Sequence, residues 1–127
     1  STFMGGRAPA VPGRTVFVGR LDGVIAGSAQ LNRPRASSEA QSFAVNVSTF
    51  FVAPWARGHG LAPGMLDACE ELARREAYTV LNLDVRATQE RAIQVFEESG
   101  YMRWGTHPKY VRVAGEFIEG YYYMKDL

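Results

Sequence analysis

The chain predicts an α/β fold, a mixed sheet with helices on both of its faces, and three observations carry that reading. In the first half, two runs of strand-forming residues flank Leu21-Asp22-Gly23, the pattern of an antiparallel hairpin. In the second half, apolar runs of strand length alternate with stretches of helical period, an order that implies parallel pairing at the centre. Between them, Asn46 to Cys69 passes from a β-branched and aromatic segment through Pro54 and a glycine-bearing turn into an amphipathic stretch. A strand therefore feeds directly into a helix.

Taken in order, Ser1 to Gly13 reads as loop because it holds prolines and glycines and little periodicity, with Ser1-Thr2-Phe3-Met4 compatible with the end of a helix. Arg14 to Arg20 is a strand, with Val16 and Val18 alternating with Thr15 and Phe17. Val24 to Leu31 is its hairpin partner and is rich in small residues. Asn32 to Glu39 is polar and broken by Pro34, hence a surface loop, and Gln41 to Val52 is the third strand. A helix is expected from about Gly60 to Glu76, because Leu61, Met65, Cys69 and Leu72 share one face. Pro63 and Gly64 fall in its first turn, where proline is tolerated. Asp67, Glu70, Glu71, Arg74 and Arg75 form the solvated side. Tyr78 to Val85 is a central strand, apolar enough to be buried on both faces. Thr88 is placed to cap a second helix, Gln89 to Ser99, that turns Ala92, Ile93, Val95 and Phe96 inward and ends at Gly100. Tyr101 to Gly105, Tyr110 to Val113 and Phe117 to Lys125 complete the strands, with a turn at Ala114-Gly115.

Composition bounds the function. With 127 residues and 46% hydrophobic content, one domain with a single core is expected. Fourteen Lys and Arg against 13 Asp and Glu leave a net charge of +1, so no nucleic acid or anionic membrane partner is indicated. The single cysteine, Cys69, allows no internal disulfide and suits a reducing compartment. No apolar run reaches membrane-spanning length and no export pattern opens the chain, so a cytoplasmic protein is expected. Two histidines and one core-facing cysteine offer little from which to build a metal site, and none is expected.

The turn itself is Arg57-Gly58-His59-Gly60-Leu61-Ala62. A turn of this kind leaves main-chain N–H groups unpaired at a helix start, with the positive end of the helix dipole behind them, which suits a phosphate. In Arg57, Gly60 and Ala62 it resembles the pyrophosphate loop of the GNAT superfamily of N-acetyltransferases, which reads Gln or Arg, two residues, Gly, one residue, Gly or Ala. Gln89 to Tyr101 is similar to a second superfamily pattern, Asn-x-x-Ala-Ile-x-Leu-Tyr-Glu-x-x-Gly-Phe, and follows the first in the family's order. The resemblance covers roughly Val16 to Leu127. It implies the acyl-CoA N-acyltransferase (GNAT) fold, with an antiparallel N-terminal hairpin and a parallel centre, and acetyl-CoA as cosubstrate. It implies that Gly58, His59, Gly60, Leu61 and Ala62 cradle the pyrophosphate with Arg57 beside them. Phe51 and Val52 match the positions that pair with the pantetheine arm, and Gln89 and Phe96 match the cofactor-facing second helix. Family members usually begin with a strand and one or two helices, so residues 1–127 are expected to be a single domain lacking part of that region. Members commonly pair through their last strands, and a homodimer is expected because Phe117 to Met124 would otherwise leave an exposed apolar edge.

The resemblance also implies the chemistry. An acceptor amine attacks the thioester directly within a ternary complex, and the protein must hold the reactants, remove the amine's proton and protonate the departing thiolate. Many members protonate the thiolate with a tyrosine on the second helix, where this chain has Phe96. Tyr110 is the preferred substitute, because Gly105, Pro108 and Tyr110 recur similarly near the acceptor side of tabtoxin-resistance-type members. Tyr101 and the run Tyr121 to Tyr123 are the other candidates. For the base, Asp84 lies near the carboxyl end of the central strand, where ligands gather in open sheets. Burial there would raise its pKa and suit the task. Asn46 and Ser48 are placed to hold a water that carries the proton. His59 and His107 read as loop histidines. The expected activity is acetylation of a primary amine of a small molecule. The alternatives are an acyl-CoA-binding sensor module without turnover and a protein N-acetyltransferase, the latter disfavoured because no acidic groove for a basic peptide is evident.

Overall fold

The computed structural model describes residues 6–7, 13–35, 37 and 39–127. Its elements are β1 (Gly6–Arg7), β2 (Arg14–Leu21), β3 (Val24–Asn32), β4 (Ala44–Val52), α1 (Leu61–Arg75), β5 (Val80–Arg86), α2 (Glu90–Glu98), β6 (Met102–Val113) and β7 (Glu116–Asp126). All strands join one sheet in the order β1-β2-β3-β4-β5-β7-β6. β4 and β5 run parallel, and the other pairs are antiparallel. The mixed sheet with a hairpin at its start and a parallel centre is therefore present.

Strict alternation along the strands sorts the sheet into two unlike faces. Phe17, Leu31, Val45, Val47, Leu81, Leu83 and Tyr123 all turn to one face and are buried there, joined by Met65, Leu66, Cys69 and Leu72 of α1 and by Phe96 of α2. Burying each large side chain in such a core is worth about 1.5–3 kcal/mol, and this cluster is what holds the sheet together. Both helices thus pack on the same face, which corrects the expectation of helices on both. Among the described residues nothing covers the opposite face, where Asn46, Ser48 and Asp84 remain exposed. β5 is correspondingly buried on one face only, with Asp84 turned away from the core.

The small residues of β3 have a packing role. A Cβ on Gly27 would lie 2.7 Å from the Phe51 carbonyl oxygen and 3.0 Å from the Met65 methyl, so only glycine lets β4 and α1 approach this closely. Glu70, expected on the solvated side of α1, is instead buried, because it accepts hydrogen bonds from the Tyr101 hydroxyl at 2.9 Å and Lys125 Nζ at 3.0 Å. Lys125 Nζ also donates to the Ser99 carbonyl at 2.8 Å, fastening the end of α2 to β7. At the far end of α1, Arg33 donates to both carboxylate oxygens of Glu76, at 2.6 and 2.8 Å, and so ties the loop after β3 to the helix.

Several boundaries differ from expectation. Gly6–Arg7 pairs with β2 where loop was expected. The helix end read at Ser1 to Met4, and residues 36 and 38 of the surface loop, lie outside the described residues. Tyr101–Gly105 and Tyr110–Val113 are one strand, β6, rather than two. Its register jumps from His107 opposite Gly120 to Val111 opposite Ile118, so Pro108, Lys109 and Tyr110 bulge against Glu119 alone. An edge strand absorbs a proline in this way because its outer N–H groups need no ladder partner. β7 inserts between β5 and β6, so the last strand is paired on both sides and is not the open edge expected to join two copies. That edge is β6. Residue 88 does not cap α2: the N-cap position is Gln89, without a side-chain cap.

Candidate active site

The parallel ladder between β4 and β5 stops after four residue pairs, Ala44 to Val47 against Val80 to Leu83. Beyond it the strands diverge. On β4 the cause is a bulge: Gln30 pairs Ser48 and Ser28 pairs Phe51, so two residues, Thr49 and Phe50, stand opposite Ala29 alone. Thr49 takes a φ of 51°, unusual for a β-branched residue. After the split, the side of β4 that would face β5 is free, and a cavity of about 500 Å³ opens between the end of β4, the start of α1 and α2.

The turn after β4 closes one end of this cavity. Pro54–Ala56 forms a single 3-10 turn, and Gly60 is the N-cap of α1 in the left-handed conformation, φ 79°, with no side chain capping the helix. Gly58 is left-handed as well, φ 82°. A Cβ at either glycine would meet nothing within 4 Å, so backbone conformation selects glycine here and the space in front of the turn is open. Gly64 N–H bonds the Gly60 carbonyl at 3.1 Å, and no main-chain hydrogen bond among the described residues engages the N–H of Gly58, His59, Gly60, Leu61 or Ala62. Such donors, with the helix dipole behind them, suit an anion. Arg57, Gly58, Gly60, Leu61 and Ala62 line the cavity. His59 does not; it is exposed to solvent.

Phe51, Val52 and Gln89 line the same cavity. Phe96 does not reach it. Its ring is 1% exposed and packs edge-on against Phe50 at 5.3 Å between centroids. It does line a second, smaller cavity of about 80 Å³, together with Ser48, Phe50, Asp84, Gln89 and Ala92. This small cavity lies in the split itself: Phe96 bounds it from the helix-covered face, while Ser48 and Asp84 bound it from the open face. The two faces of the sheet therefore meet at one point. Sequence reading overlooked Arg91, Gln94 and Glu98 on α2, which also line the main cavity. Counting threes and fours from Arg91 would have placed all three on one stripe beside the inward face.

Asp84 and Tyr110, distant in sequence, are brought together on the open face, where the Tyr110 hydroxyl donates a hydrogen bond to Asp84 Oδ2. Partial burial, then the adjacent Asp84 carboxylate, hold the Tyr110 phenol above its ordinary pKa. Asp84 is exposed rather than buried, which corrects the expected burial: among the described residues its face of the sheet carries no helix. Tyr122, opposite Asp84 in the ladder, lies on the same face. The remaining tyrosine candidates lie away from this site. Tyr101 is buried with its hydroxyl on Glu70, and burial foremost pushes its pKa up. Tyr123 donates to Glu97 at 2.7 Å, and Tyr121 to Glu119 at 2.9 Å. His107 Nδ1 accepts the Lys109 N–H at 3.0 Å and so stabilises the β6 bulge. Ser48 Oγ accepts from Asn32 at 2.7 Å. Burial pushes the Cys69 thiol up to about 12. Among the described residues, no cluster of three or more His, Cys, Asp or Glu could hold a metal ion, and no helix is long and apolar enough to cross a membrane.

Comparison with known proteins places this geometry. An uncharacterized N-acetyltransferase in the hisH-hisA intergenic region of Azospirillum brasilense is 62% identical over 81 residues, which are 64% of this chain and 48% of that protein. The match thus spans about half of that relative. Among solved structures, a ribosomal-protein-alanine N-acetyltransferase from Brucella melitensis is 25% identical, with a TM-score of 0.78 over 91% of this chain and 70% of that one. The yncA protein of Salmonella typhimurium, solved with its cofactor acetyl-CoA, shares the fold at a TM-score of 0.77 and 21% identity, over 90% of this chain and 65% of that one. The model of the acetyltransferase (GNAT) family matches residues 7–101. With a split parallel pair, an uncapped glycine turn and that match over most of its length, the chain belongs to the acetyltransferase (GNAT) family.

Proposed function

We propose that this chain is an acetyl-CoA-dependent N-acetyltransferase that acetylates a primary amine of a small molecule by direct attack in a ternary complex. One observation carries the reading: the main cavity ends at Gly58, Gly60, Leu61 and Ala62, whose N–H groups make no main-chain hydrogen bond among the described residues, while the split beside it opens onto the Asp84–Tyr110 pair. The residues present fit the cosubstrate. Gly58 to Ala62 offer N–H groups for a diphosphate, Arg57 and Arg91 offer cationic charge, and the free side of β4 at Phe51 and Val52 offers main-chain partners for an amide-bearing arm. Acetyl-CoA, when bound, supplies an acyl group activated as a thioester.

The remaining tasks fall to the chain's own groups. Asp84, at the mouth of the split, takes the proton from the acceptor ammonium, so that a neutral amine is presented for attack. Tyr110 Oη orients the carboxylate by donating to it, and its raised pKa keeps the phenol protonated at neutral pH. Once Asp84 is protonated, its proton passes to Tyr110 Oη as the phenol gives its own to the departing group. The ammonium's first proton thereby reaches the departing thiolate, the second, lost from nitrogen as the amide forms, passes to solvent water, and no hydroxyl is needed at Phe96.

The test combines calorimetry with a coenzyme A release assay on a panel of small amines. Acetyl-CoA should bind, thiol should appear with at least one amine, and Asp84→Asn should lower turnover ~10²–10⁴-fold with the affinity for acetyl-CoA unchanged. Binding without thiol release from any amine would instead establish the sensor module, which the lack of a hydroxyl at Phe96 favours. Release only with basic peptides would establish a protein acetyltransferase.

A further inference from the structure

The open face of the sheet carries an aromatic wall beside Asp84 that the cosubstrate site does not use. Trp104 and Tyr122 stand 5.3 Å apart between ring centroids and tilted by 32°, and Tyr110 meets Tyr122 edge-on at 6.2 Å. Three features of the chain build the wall. A register shift between Arg103 and Gly105 adds Trp104 to β6, the second bulge of that strand brings Tyr110 over Gly120, and Tyr122 is paired directly with Asp84. Trp104 is 63% exposed although it is one of the largest apolar side chains in the protein. The only carboxylate in these contacts is that of Asp84, held by the Tyr110 hydroxyl.

We propose that this wall is the acceptor subsite, and that it selects a primary amine attached to a flat or apolar body. The reading rests on the acetyltransferase function above and adds the substrate class. An ammonium is attracted both by a carboxylate and by the negative faces of aromatic rings. Here Asp84 and the rings of Tyr110 and Tyr122 offer both within one site. The exposed indole of Trp104 lies beyond them and offers the body of the same molecule a stacking surface. A neutral alcohol of the same shape keeps the stacking and loses the charge, while a short aliphatic amine keeps the charge and loses the stacking. The site thus discriminates on two separable chemistries.

Trp104 fluorescence reads the subsite directly in a Trp55→Phe background, since Trp55 lies outside both cavities and Trp104 is then the sole tryptophan. 2-Phenylethylamine should quench the emission without acetyl-CoA present, and 2-phenylethanol should bind at least tenfold more weakly. Trp104→Ala should raise the KM for 2-phenylethylamine at least tenfold. It should leave the KM for propylamine and the calorimetric affinity for acetyl-CoA within twofold, and Trp104→Phe should restore most of the loss. Equal quenching by amine and alcohol, or a Trp104→Ala variant indistinguishable for both amines, overturns the proposal. So does emission that follows protein concentration instead of amine, which would make the wall a contact between copies. The two readings fail separately: loss of acetyl-CoA binding removes the acetyltransferase, whereas thiol release that ignores Trp104 removes only the subsite.

Discussion

Gly120 decides where Tyr110 sits. A Cβ at that position would overlap three ring carbons of Tyr110, closer than real contacts allow, so the ring rests on bare backbone. Gly120→Ala should therefore displace Tyr110 from Asp84. Turnover should fall as in Tyr110→Phe, the affinity for acetyl-CoA should hold, and stability should drop by about 1–3 kcal/mol in urea titrations. Gly105 is the control, because its Cβ would meet Tyr122 at an ordinary 3.9 Å and Gly105→Ala should leave turnover intact. Cys69 makes a second prediction at this scale. Burial pushes its thiol up to about 12 in the fold, from the 9.0 of a free cysteine. Between those values the unfolded chain releases a proton that the folded one keeps, so stability is full below pH 9 and declines as pH rises toward 12. The slope approaches about 1.4 kcal/mol per pH unit. Cys69→Ala should flatten it, measured as denaturation midpoints at pH 8 and pH 10.5.

Among the elements, α1 does two things at once: its start presents main-chain donors to the cavity and its middle anchors the last strands. The anchor is Glu70, whose carboxylate takes the Tyr101 hydroxyl and the Lys125 ammonium. Glu70→Ala should cost about 2–4 kcal/mol, since it leaves a partly buried cation without its counter-charge and a buried hydroxyl without its acceptor. Tyr101→Phe removes only one neutral donor and should cost nearer 1 kcal/mol. If the two variants unfold at the same urea concentration, the Lys125 contact contributes nothing. Glu70 also shows why a helical wheel misled: its position borders the apolar stripe, and which borderline residue is buried depends on the strands that pack there.

For the molecule as a whole, the split between β4 and β5 is a defect in the sheet that a ligand can close. Acetyl-CoA at one hundred times its Kd should stabilise the fold by ~2.7 kcal/mol. That corresponds to a rise in Tm of roughly 10 °C for a domain of this size. Gly60→Val should reduce the shift, because a β-branched residue resists the left-handed conformation that keeps the turn open. An unchanged Tm in millimolar acetyl-CoA would show that the turn is not a diphosphate site.

The local half of this architecture was readable from residue order. Strand alternation, the 3.6-residue period of α1 and α2 and the glycines of the turn depend on near neighbours, and Arg57 to Ala62 forms the open-amide turn it spells. The mixed sheet and the turn that closes one end of the cavity followed from them. Pairings between distant strands were decided only on folding. β7 enters between β5 and β6, both helices settle on one face, and Glu70 becomes buried. The bulge at Pro108 turns two short strands into one, and through it Tyr110 reaches an Asp84 that lies exposed. Such outcomes depend on which surfaces find each other, because burial, bulges and side-chain partners across a sheet are set by packing between segments and not by periodicity within one.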